Sequence, residues 1–100
     1  MKRLPIADED LRLFCERHGI RRLLLFGSTL KGTAREDSDV DVLVEFEAGK
    51  KPGLLGLAAM EQELSALLAG RPVDLRTPED LSRHFREDVL REAEVQYAAG

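Results

Sequence analysis

Residues 23–46 read LLLFGSTLKGTAREDSDVDVLVEF, and this stretch limits the possible folds more than any other. Leu23, Leu24, Leu25 and Phe26 form an apolar run that stops at Gly27 and Ser28; a second run, from Val40 to Phe46, is opened by Asp39 and Asp41. Short apolar runs bounded by turn residues are strand signals. The stretch therefore predicts a strand, a tight glycine turn, a short helix, a loop and a second strand. Side chains of a strand alternate in direction, so Asp39 and Asp41 share one face and Val40, Val42 and Val44 the other. Leu43 falls on the acid face, which must become buried one step further in. The acids are thus expected at a strand end, where buried sheet gives way to solvent.

Two ionised carboxylates in so small a volume repel each other unless a cation lies between them. A hard divalent ion such as Mg²⁺, bound by one or two carboxylates together with substrate phosphates, meets that need. Gly27 lets the backbone turn sharply and approach a ligand, and Ser28 can cap the following helix, whose free N–H groups then point at an anion. Gly32 ends that helix, and Asp37-Ser38 reads as the turn into the next strand. Lys31 and Arg35 lie within this loop-helix and are placed to contact a triphosphate or an acidic partner. A Gly-Ser turn alone, or an Asp-x-Asp alone, is commonplace; the argument rests on the two together.

The flanking segments supply a scaffold. Residues 8–19 predict a helix with acids in its first turn, a sheet-facing stripe of Leu11, Phe14 and Cys15, and Gly19 as a stop. Cys15 reads as core and His18 as a last-turn residue. Residues 20–26 predict the first strand, with Arg21 and Arg22 facing solvent, and the AGKKPG segment an exposed loop. Residues 54–69 predict the longest helix, with Leu54, Leu57, Ala58, Met60, Leu64, Leu67 and Leu68 at helical spacing and Gly70 at its end. Because it joins two strands, a right-handed crossover between parallel neighbours is expected. Residues 71–76 predict the third strand, in which Asp74 points away from Val73 and Leu75. With strands about 4.8 Å apart, Asp74 reaches the acid pair if the register allows. After Pro78, residues 79–99 predict helix, in two pieces around 84–87, with Leu81, Phe85, Val89, Leu90, Ala93 and Tyr97 as the apolar side. The order α-β-α-β-α-β-α places the chain in the α/β (α+β) class, as a small mixed β-sheet flanked by helices.

One hundred residues suit a single domain, 1–100, without a separate substrate domain. A net charge of −4 argues against broad nucleic-acid binding. No apolar run is long enough for a membrane span and no leader is visible, so a cytoplasmic location is expected. The lone Cys15 forms no internal disulfide, and no Cys/His set has zinc spacing.

Ten residues, Thr29 to Ser38, separate Ser28 from Asp39. The resulting pattern, Gly-Ser, ten residues, Asp-x-Asp, resembles the signature of the nucleotidyltransferase superfamily that includes DNA polymerase β. The compact chain around it resembles the minimal nucleotidyltransferases, the MNT proteins encoded beside HEPN-domain partners, although Thr29 stands where those proteins often have Arg. The resemblance implies a polymerase β-like fold. It also implies Asp39, Asp41 and Asp74 as catalytic ligands of two Mg²⁺ ions, and Gly27, Ser28 and Lys31 as nucleotide-binding residues. The implied reaction is transfer of AMP from ATP to a tyrosine of a HEPN-domain toxin, a ribonuclease, by its antitoxin, with self-association left open. Two other functions fit the same motif: a non-catalytic antitoxin that neutralises by binding, and a nucleotidyltransferase acting on a small molecule such as an aminoglycoside.

Overall fold

The structure, a computed structural model, describes residues 3–27, 39–84 and 86–99. Its centre is one mixed sheet of strands β1 (Ile20–Leu25), β2 (Val40–Phe46), β3 (Val73–Arg76) and β4 (Glu94–Ala98), in the order β3-β2-β1-β4. The pairs β1–β2 and β1–β4 are antiparallel; β2–β3 is parallel, as expected for strands joined through a helix. Among the described residues the helices are α1 (Asp8–His18), α2 (Leu54–Leu67) and α3 (Arg86–Glu92), with a 3₁₀ turn at Pro78–Asp80. The short helix expected after Gly27, with Ser28 and Lys31, lies outside the described residues.

Helix α1 forms where the sequence places it. Asp8, Glu9 and Asp10 occupy its first turn and Arg17, beside His18, its last; the signs of these acids and of Arg17 match the helix dipole. Gly19 closes it at φ 67°, donating its N–H to the carbonyls of Cys15 and Glu16. Leu11, Phe14 and Cys15 from α1 meet Met60 and Leu64 from α2 on one face of the sheet, against Leu23, Leu25, Val40, Val42, Val44 and Leu75. Glu63 ties the two helices together: its carboxylate pairs with Arg17 and lies 2.6 Å from His18 Nε2. Leu54 departs from the expected apolar stripe. It is 86% exposed and its neighbour Leu55 89%, while Met60 and Leu64 further along the helix reach the core.

The opposite face carries the acids, and Leu24 and Leu43 are buried on it as the alternation requires. The 3₁₀ turn packs against β2. A register shift between Ile20 and Arg22 brings the two consecutive arginines to one partner. Arg21 Nη2 lies 3.3 Å from Glu45 Oε2, and Arg22 pairs with the same carboxylate. Both therefore carry a counter-charge instead of simply facing solvent.

The C-terminal segment corrects the expected order of elements. It is not helical to residue 99: α3 ends at Glu92, and Glu94–Ala98 pairs with β1. Without β4 the outer edge of β1 would leave a row of unpaired backbone groups beside buried leucines. Pairing outweighs local helix preference there, and Val95 and Tyr97 suit a strand. Tyr97 lies opposite Leu23 and packs against the core. Among the described residues, no helix is long and apolar enough to cross a membrane.

Candidate active site

The register of β2 against β3 builds the site. The Cα partner of Asp41 is Asp74, a juxtaposition that neither strand's own sequence determines. Asp39 stands just before β2, exposed and two residues from Asp41 on the same face. The strand starts are zipped by Val40 N–H, which donates to the Pro72 carbonyl at 2.8 Å.

From the other side, the end of β1 reaches the same acid. Phe26 N–H donates to the Asp41 carbonyl at 3.2 Å. Gly27 follows at φ 68°, and a Cβ there would stand 2.7 Å from Asp41 Oδ2. Glycine is required twice over, by the left-handed backbone and by the carboxylate against it. The turn glycine and the second aspartate of the motif are thus direct neighbours.

Asp74 has a partner along its own strand. Its Oδ1 and Oδ2 accept hydrogen bonds from Arg76 Nε at 3.2 and 3.4 Å. Asp74 above all raises the pKa of the Arg76 guanidinium, and the more distant carboxylates of Asp80 and Asp41 add to the effect. Among the described residues no group of three Asp, Glu, His or Cys side chains is gathered for a metal ion. The backbone therefore brings Asp39, Asp41 and Asp74 to one strand end, while the Asp74 carboxylate engages Arg76. Hard oxygen donors at paired positions on adjacent strands remain the donor set that Mg²⁺ takes.

Two contributors had gone unread in the sequence. Glu61 on α2 accepts the Leu75 N–H at 2.8 Å, holding the outer side of β3; as one carboxylate among the polar residues of a helix it gave no signal. Thr77, 1% exposed, follows β3. Its N–H and Oγ1 both donate to Asp80 Oδ2, at 3.1 and 3.0 Å, and the backbone donor leads in lowering the Asp80 pKa. Here a signal existed: Thr-Pro-Glu-Asp is a capping-box sequence with Pro at the first helical position. A cleft of about 380 Å³ runs past these residues, between Leu54, Leu57 and Glu61 of α2 and Asp74, Arg76 and Asp80.

The profile of the nucleotidyltransferase domain matches residues 9–96. The chain belongs to this nucleotidyltransferase family. Among its relatives is the protein adenylyltransferase MntA of Thermococcus cleftensis, 47% identical over 89 residues that cover 89% of this chain and 84% of that protein. A solved minimal nucleotidyltransferase superposes with a TM-score of 0.70 at 45% identity, covering 86% of this chain and 85% of the other. A toxin–antitoxin structure with AMP-PNP shares the fold at a TM-score of 0.72 and 19% identity, covering 94% of this chain and 75% of that one. The small mixed sheet flanked by helices is the nucleotidyltransferase fold, and the enzyme class follows: this is a nucleotidyltransferase.

Proposed function

We propose that this nucleotidyltransferase is a Mg²⁺-dependent protein adenylyltransferase that moves AMP from ATP to a protein hydroxyl, with a tyrosine of a HEPN-domain toxin as acceptor and the chain as its antitoxin. The observation that carries the reading is the meeting of Gly27, Asp41 and Asp74 at one strand end. The relative at 47% identity named as a protein adenylyltransferase supports the choice of acceptor class. ATP as the donor puts the reaction in the cytoplasm.

Asp39, Asp41 and Asp74 would hold the metal. When bound, Mg²⁺ neutralises phosphate charge and activates the α-phosphate toward an incoming oxygen. The backbone at Gly27, with Ser28 and Lys31, would grip the triphosphate and orient the departing pyrophosphate. Asp74 would take the acceptor's hydroxyl proton as a bond forms from that oxygen to the α-phosphorus and the bond to pyrophosphate breaks. Most of the protein's contribution is positioning and electrostatics.

The test is transfer of label from α-labelled ATP, with Mg²⁺, to the product of the adjacent gene, comparing wild type with Asp41→Asn. The wild type should label that protein and the variant should lose about a thousandfold, near 4 kcal/mol of barrier. Equal labelling by both would sink the assignment of Asp41. Tight binding without labelling by either would replace the enzyme reading with a neutralising binding module for that partner.

A further inference from the structure

We propose that Arg76 is the resident counter-cation of Asp74, and that Asp74 serves a divalent metal ion only by giving up this guanidinium, so that Arg76 sets the metal affinity of the site. The inference rests on the reading of Asp74 as the third metal-binding carboxylate.

Positions two apart on a strand share a face, so Asp74 and Arg76 are neighbours by construction. Both oxygens of Asp74 are within hydrogen-bonding distance of Arg76 Nε, at 3.2 and 3.4 Å. In register, Asp41 lies beside Asp74, and Leu43 beside Arg76. Asp74 therefore has an acid for a neighbour across the sheet and a cation for a neighbour along its own strand. A metal ion shared between Asp41 and Asp74 would compete with the guanidinium for the same oxygens.

The pair is built to exchange. The side chains of Asp74 and Arg76 are 34% and 48% exposed, so water can take over the guanidinium once it lets go. Strand β3 does not depend on the pair for its place: it is held by the β2 ladder on one side and by Glu61 on the Leu75 N–H on the other. Removing the guanidinium should therefore free Asp74 without unfolding the strand. An exposed pair of this kind is worth at most about 1 kcal/mol, which corresponds to about fivefold in an equilibrium constant.

The test uses Mn²⁺ as the probe, with its dissociation constant read by the loss of the free-ion paramagnetic resonance signal. Wild type, Arg76→Gln, Asp74→Asn and the double variant are titrated, with circular dichroism confirming the fold of each. Arg76→Gln should bind Mn²⁺ about fivefold tighter, Asp74→Asn more weakly, and Arg76→Gln should bring no such gain in the Asp74→Asn background. If Asp74→Asn weakens binding but Arg76→Gln leaves it unchanged or weaker, the exchange is refuted while Asp74 stands as a ligand. If the gain from Arg76→Gln persists in full without Asp74, Arg76 acts by its field alone and the exchange is again refuted. If Asp74→Asn leaves Mn²⁺ affinity intact, the third-carboxylate reading itself falls and takes the exchange with it.

Discussion

Gly27→Ala makes a quantitative demand on the site. A residue with a Cβ in the left-handed region costs roughly 1–2 kcal/mol, which lowers the melting temperature of a domain this size by about 5–15 °C. Gly49 supplies the control. At φ 76° it makes the same backbone demand, yet a Cβ there meets nothing within 4 Å, whereas at Gly27 it meets Asp41 Oδ2 at 2.7 Å and Cγ at 3.3 Å. Gly49→Ala should therefore lose stability alone. In Gly27→Ala something must also move. The backbone of Asp41 is pinned between the fully buried Val40 and Val42, so its carboxylate gives way. A displacement on the order of 1 Å at a reacting centre costs about a hundredfold in rate. The assays are thermal melts by circular dichroism, AMP transfer from labelled ATP, and Mn²⁺ affinity. Equal melting losses should accompany unequal losses of rate and of metal binding. If the two variants melt alike and both keep their transfer rate and metal affinity, Gly27 matters only for its conformation and the contact with Asp41 has no functional weight.

Two further predictions concern the frame. Thr77→Val removes the hydroxyl that donates to Asp80 Oδ2 at 3.0 Å; loss of such a cap costs about 1 kcal/mol, read as a melting point roughly 4–8 °C lower, and an unchanged melting point would rule out the role. Burial pushes the Cys15 thiol from its ordinary 9.0 up to about 12. Iodoacetamide at pH 8 should therefore leave it unmodified until denaturant is added; rapid labelling of the folded protein would contradict its burial. Because the folded state holds this proton more tightly, Cys15 contributes full stability below pH 9 and loses it between 9 and about 12. Cys15→Ala should flatten that part of the stability profile.

Most of this architecture was legible because burial on one face writes a period into the sequence. The α1 stripe and the alternation of β2 are read directly from Leu11, Phe14 and Cys15 and from Val40, Val42 and Val44. The motif glycine and acids stood out by residue type and spacing, and Gly27 and Asp41 prove to be spatial neighbours. Register was not: the juxtaposition of Asp41 and Asp74 depends on how α2 returns the chain to the sheet, which no local pattern encodes. Nor was β4, whose Glu, Ala and Tyr residues continue a helical spacing from α3. Its strand identity comes from β1, more than sixty residues earlier in the chain.

That missed strand explains why the two sides of the site differ in rigidity. β1 has a strand on either side, β2 and β4, so the backbone that leads into Gly27 is hydrogen-bonded from both directions. The approach of Gly27 to Asp41 is therefore a fixed feature of the sheet centre. Among the described residues β3 is an edge strand of four residues with one strand neighbour, steadied on its outer side by the Glu61 carboxylate. Of the three acids, Asp74 thus sits on the wall that can adjust, and a neighbouring guanidinium engages its oxygens. Under the proposed function, a site with a rigid side at Gly27 and Asp41 and a yielding side at Asp74 would keep its phosphate contacts in place while Asp74 exchanges partners. Stiffening β3 should then slow that exchange without disturbing those contacts.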